Sequence, residues 1–279
     1  MLAVFKSDVL QAPKELHSPA SLHPFGRVKT PKEALKDLLA SNPSNGCSVS
    51  FSDKVMLGYV PSEASAAAAQ QRIFCGMDEV YCMFLGSLTN LCSLNKQYGL
   101  TKGGNDATFV MEAYRTLRDR NPIPAHQVLR ELEGSFGFVI FDHKSKNVFV
   151  ALVSTVYPID ISSSSFQMGN SKPILFWQGA DNEVSLYWGI AADGSVMISD
   201  NSSLIKASCR KSFAPFPPGC MYHSERGLIS FEHPTYKMKA MPRIDSEGAM
   251  CGSYFALDVY SKVNSMPRVG SQANWATWE

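Results

Sequence analysis

The chain has 279 residues, 45% of them apolar, with 26 basic against 25 acidic side chains and a net charge of +1. Near-neutrality without a charge run excludes a basic groove for nucleic acid and an acidic or basic tail. No stretch approaches the roughly 20 apolar residues of a membrane helix, and the first residues lack the apolar run and small-residue site of a secretory leader. A soluble intracellular protein is expected, cytoplasmic, with the nucleus left open as a second location. The seven cysteines are scattered, with no CxxC pair and no histidine at zinc spacing, so reduced, mostly buried thiols are expected and neither a metal site nor a cofactor is implied.

In chain order, Leu2-Ala3-Val4-Phe5 reads as a short strand. Pro31 after Thr30 opens a helix through residue 40, with Leu35, Leu38 and Leu39 on its apolar side. Residues 47–51 and 55–59 alternate like the strands of a hairpin around Ser52-Asp53-Lys54. Residues 62–71 are small and Ala-rich and read as a surface loop or short helix.

The stretch 79–100 organises the rest. Val80, Cys82 and Phe84 point one way in an extended segment and Tyr81, Met83 and Leu85 the other, so this strand must be covered on both faces. Gly86 is expected to end it and to let another backbone approach. Asn90 is the expected N-cap of a helix carrying Leu91, Leu94 and Tyr98. Gly99 supplies the left-handed position after it, and Leu100 the apolar residue behind.

Residues 106–119 form an amphipathic helix with Val110, Ala113, Tyr114 and Leu117 as its stripe. Pro124 starts another helix, with Val128, Leu129 and Leu132 inward and Gly134 as its stop. Residues 136–141 are a second strand apolar on both faces, and 148–153 return as its partner. Residues 186–190, 196–199, 221–223, 228–231 and 254–259 read as further strands, with a helical turn at 202–207. Paired strands lacking a polar face rule out an exposed one-layer sheet and predict two packed sheets covered outside by helices. One domain over residues 1–259 is expected, with an insertion at 154–185 and a loosely held tail at 260–279.

Tyr98-Gly99-Leu100 and Leu117-Arg118-Asp119-Arg120, with the start Met1-Leu2-Ala3-Val4-Phe5 and the run Phe216-Pro217-Pro218-Gly219-Cys220, carry a resemblance over nearly the whole chain. The sequence resembles the plant aluminium-induced proteins with YGL and LRDR motifs, a family associated with stress, dormancy and auxin responses. That family is similar in turn to class II glutamine amidotransferase domains. The resemblance implies an α+β fold, the four-layer αββα sandwich of the N-terminal nucleophile hydrolases.

The resemblance also implies a chemistry that the residues depart from. Class II amidotransferases present a cysteine at the mature N-terminus, whose thiolate attacks the glutamine amide while the free α-amine moves protons. Leu2 stands at that position. The oxyanion-hole Asn-Gly pair reads Leu85-Gly86, so the side-chain donor is gone, a loss that alone costs on the order of 10²–10³ in rate. No counterpart of the substrate-binding Arg-Gly motif is found. Asp106 falls where a glutamine-binding aspartate would lie, and reads equally well as a helix N-cap. Leu2, Leu85, Gly86 and Asp106 are therefore the expected lining of a vestigial pocket. Arg118, Asp119 and Arg120 read first as a charge network closing a helix and second as a partner-binding patch. In residues 154–185 the resembling proteins have a loop shorter by roughly 20 residues, and a gene-model artefact is the favoured explanation of that long structureless segment.

Three functions follow. The first is a catalytically silent binding or regulatory protein whose partner is an unknown protein or small ligand, with a homodimer left open. The second is an amidohydrolase with a displaced nucleophile, Cys75, Cys82 or Cys220, and His223 as base. The third, direct metal binding, is disfavoured because the carboxylates are dispersed.

Overall fold

The computed structural model describes residues 1–17, 27–62, 71–99, 104–120, 125–153, 184–244 and 250–262. Strand β1 (Leu2–Phe5) is followed by α1 (Pro31–Ala40), β2 (Cys47–Phe51), β3 (Val55–Tyr59), β4 (Arg72–Met77) and β5 (Val80–Leu88). Then come α2 (Leu91–Gln97), α3 (Asp106–Arg120), α4 (Ala125–Glu131), β6 (Gly134–Asp142), β7 (Asn147–Val153), β8 (Tyr187–Ile190) and β9 (Val196–Ser199). The chain continues with α5 (Ser202–Cys209), β10 (Phe213–Pro215), β11 (Cys220–His223), β12 (Gly227–Ser230), β13 (Tyr236–Ile244) and β14 (Met250–Lys262). The strands form two six-stranded sheets, ordered β10-β8-β9-β1-β3-β2 and β12-β11-β7-β6-β5-β4, and a separate β13–β14 ribbon.

Side-chain alternation builds the layers. Ala3 and Phe5 of β1, with Leu57 and Ile198 beside them, meet Met83, Leu85, Val139 and Val150 of the second sheet in the central core. Leu2 and Val4, on the opposite face of β1, pack under α1 and α5 with Leu35, Leu38 and Ile205. Cys82, Phe84, Phe138 and Ile140 pack under α2, α3 and α4 with Leu94, Val110 and Tyr114. The result is the four-layer αββα sandwich expected, and both strands read as apolar on two faces, β5 and β6, sit inside the second sheet.

Local chemistry sets the element ends. Thr30 and Glu33 form a reciprocal capping box with Pro31 at the first turn of α1. Strand β5 does not end at Gly86: it runs on to Leu88, and Gly86 adopts φ +93° because Ser135 O lies where a Cβ would come within 2.2 Å. Gly134 opens β6 instead of closing a helix, at φ +135°, with Ser87 O 2.3 Å from the position of its missing Cβ. Asn90 occupies the N-cap position of α2 but spends its side chain elsewhere. Its Nδ2 donates to Glu131 O at 2.8 Å, and its Oδ1 accepts from Glu133 N–H at 3.1 Å, tying α2 to the α4–β6 junction. Strands β4, β10 and β13 went unrecognised in the sequence. Strand β14 extends to Lys262, past the expected end of the domain, and Val184 is core although it falls in the expected insertion. The remainder of that insertion (residues 154–183), most of the Ala-rich stretch (63–70) and the tail beyond residue 262 lie outside the described residues.

Candidate functional site

The start of β1 is closed by charge. The Met1 amine, 1% exposed, pairs with Asp200 Oδ1 at 2.7 Å, and Asp200 Oδ2 takes Arg72 Nε at 2.5 Å. Asp200 follows β9 in the first sheet and Arg72 begins β4 in the second, so the pair bolts the sheets together at this end. Ser199 Oγ donates to Met1 O at 2.6 Å and Tyr59 Oη to Arg72 O at 2.8 Å. Burial alone would raise the Asp200 carboxyl, but the Met1 amine and the Arg72 guanidinium outweigh it and hold it below the usual carboxylate range. Sequence reasoning missed both Arg72 and Asp200, whose separation of 128 positions leaves no local signal.

The four residues expected to line one pocket are spread over three layers. Leu2 is fully buried beneath α1 and α5, while Met1 beside it faces the central core. Leu85 is central core, and Gly86 is packed against Ser135, Phe136 and Val184. Asp106 begins α3 on the far side of the second sheet, where its Oδ1 lies 3.4 Å from Leu88 N–H. It does not cap α3. That role falls to Asn105, whose Oδ1 accepts Thr108 N–H at 2.8 Å. Burial raises the Asp106 carboxyl.

The paired motifs meet the helical layer. Tyr98 Oη donates to Glu131, and its ring packs edge-on against Phe109 at 5.9 Å, fixing the end of α2 on α3 and α4. Gly99 takes the expected left-handed conformation at φ +65°, and Leu100 lies outside the described residues. Arg118 is a junction. Its Nη1 donates to Asp142 Oδ2 at 2.8 Å, and its Nε and Nη2 donate to the two Asp119 oxygens at 2.8 and 3.3 Å. Asp142 is fully buried, takes Tyr114 Oη at 3.3 Å, and accepts Lys144 and Ser145 N–H on its other oxygen. The motif thus clamps α3 onto the turn between β6 and β7, and Arg120 is the last residue of α3. Leu117 and Arg118 also edge a cavity whose floor is Phe149.

The displaced-nucleophile dyad is not assembled. Cys220 faces the central core and His223, three residues on in the same strand, faces outward beside Phe149, so strand alternation separates them. Burial pushes the Cys220 thiol well up. Cys75 and Cys82 are cross-strand partners, and their hydrogen bond pushes the buried Cys82 thiol up and draws the half-buried Cys75 thiol down.

The chain is 35% identical over 151 residues to the stem-specific protein TSJT1 of Nicotiana tabacum, a match spanning 54% of this chain and 99% of that one. Among solved structures it resembles the glutamine PRPP amidotransferase of B. subtilis complexed with ADP and GMP, at 14% identity and a TM-score of 0.37. A structure of the allosteric regulatory enzyme of purine biosynthesis matches at the same identity and TM-score. These matches cover 63% of this chain, which spans only 34% of the length of either enzyme chain. The model of the aluminium-induced protein family matches residues 2–156 and 166–257, leaving only 157–165 of the long central segment outside it. The chain belongs to the aluminium-induced protein family.

Proposed function

We propose that this chain is a catalytically silent amidotransferase-like domain acting as an intracellular binding or regulatory protein in plant stress, dormancy or hormone responses. The observation that carries the reading is Leu2. The resemblance would put the nucleophilic cysteine at this position; the side chain here has no nucleophilic atom and packs in the helix layer, away from the space between the sheets. Leu85, in place of the oxyanion-hole amide, is likewise apolar and buried. Its partner is a protein or a small ligand, in the cytoplasm and, for part of the population, the nucleus. The test is ammonia release from glutamine and asparagine by the purified protein. The reading predicts none above the buffer rate, and turnover at an enzyme-like rate would end it.

A displaced nucleophile keeps one supporting observation, the lowered Cys75 thiol beside Cys82. Under that second reading Cys75→Ser abolishes a measurable amidase activity. Under the first there is no activity to lose.

A further inference from the structure

On the outer face of the second sheet, α3, the start of α4, β7 and the β11–β12 turn enclose a cavity of about 260 Å³. Its floor is aromatic: Phe149 stacks on Tyr114 at 6.2 Å between ring centres, and the His223 ring lies tilted against it at 6.0 Å. Leu117 adds apolar wall. Arg118, His223 and Arg226 in its lining carry hydrogen-bond donors. Arg118 uses three of its five N–H groups on Asp119 and Asp142, which fixes the plane of the guanidinium and leaves two donors. His223 Nδ1 accepts Glu225 N–H at 3.2 Å, so the neutral ring carries its proton on Nε2. Burial lowers the His223 pKa, which favours that neutral form. Arg226 is exposed at the rim, and its guanidinium has no ion-pair partner among the described residues. Glu225, the carboxylate among the described residues lining the cavity, accepts from Asn147 Nδ2 at 3.3 Å.

Donors converging over an aromatic floor fit a ligand that is charged at one end and apolar at the other. We propose that this cavity binds a small oxyanion, phosphate or carboxylate, joined to an apolar group. Arg226 and His223 Nε2 hold the oxyanion, the spare Arg118 donors complete its shell, and Phe149 and Leu117 cover the apolar part. This gives the binding reading above a ligand class and a place separate from the closed start of β1.

The test is titration calorimetry of the full chain at low salt with three probes: orthophosphate, phenyl phosphate and hexanoate. Phenyl phosphate or hexanoate is expected to bind, and whichever does so more tightly identifies the oxyanion. Phenyl phosphate is expected to exceed orthophosphate if the head is phosphate. Arg226→Ala, on the exposed β11–β12 turn, and His223→Gln, at the end of β11, should each weaken binding about tenfold, the loss of one charge-assisted or buried hydrogen bond, with melting temperature unchanged in Arg226→Ala. Heat from none of the probes, binding that both variants leave intact, or orthophosphate binding as tightly as either apolar probe overturns the proposal. Ammonia release would sink the silent-domain reading and leave these titrations to be judged by themselves.

Discussion

Among the described residues, two ion-paired carboxylates are deeply buried, Asp200 and Asp142, and their surroundings differ. At the start of β1 the Met1 amine, Asp200 and Arg72 satisfy one another, with side-chain exposures of 1%, 5% and 29%. On the outer face of the second sheet Asp142 is as deeply buried, and its partner Arg118, 25% exposed, is about as open as Arg72; the difference is that Arg118 edges a cavity. Arg226 and His223 add donors across the Phe149 floor. The first network is a fastening between two sheets. The second fastens α3 to the β6–β7 turn and also presents unspent donors to a cavity. If the chain binds a small ligand, as proposed, the cavity over Phe149 is its site and the closed start of β1 is not.

That contrast can be broken by substitution. Asp200→Ala strands the buried Met1 amine and the partly exposed Arg72 guanidinium and should cost about 3–5 kcal/mol, read as a drop in the urea midpoint. Arg118→Ala leaves the Asp142 carboxylate uncompensated, and partial exposure reduces its cost to about 2–3 kcal/mol. Gly86→Ala tests the packed glycine itself. A Cβ at φ +93° facing Ser135 O should cost about 1–3 kcal/mol, with no gain in ligand access. Tyr98→Phe, which removes only the partly exposed bond to Glu131, should cost about 0.5–1 kcal/mol.

Acid sharpens the comparison. Against the rise that burial alone would cause, Arg118 and the Ser145 N–H hold the Asp142 carboxyl below its usual range, as the Met1 amine and Arg72 do for Asp200. Below about pH 4 the unfolded chain binds more protons at both residues, so stability is full above that value and falls progressively beneath it. Asp142→Asn should flatten part of that slope in a pH series of denaturant midpoints. An unchanged slope would mean that Asp142 titrates normally.

The parts of the fold that local periodicity encodes could be read in advance: β1, the β2–β3 hairpin, α1, α3 and the two doubly apolar strands. Strand β4 was missed because its hairpin with β5 turns on Asp78-Glu79, both at positive φ, where the usual Asn or Gly signal is absent. The β10 strand is only three residues long, and β13 mixes lysines with methionines in a ribbon whose partner β14 lies beyond residue 249. The LRDR motif was legible as a charge network, but its buried partner Asp142 was not, since Asp142 reads locally as a turn residue. The cavity was wholly illegible. It needs α3, β7 and a turn near residue 225 in one place, and only the tertiary fold supplies that.

An amide-cleaving architecture that has lost its cutting atom, as proposed, should be inert to a diazoketone analogue of glutamine. After incubation of the intact protein with the analogue, whole-protein mass spectrometry should find an unmodified mass under conditions that fully label a working class II amidotransferase. A stoichiometric adduct mapped to any cysteine would contradict it.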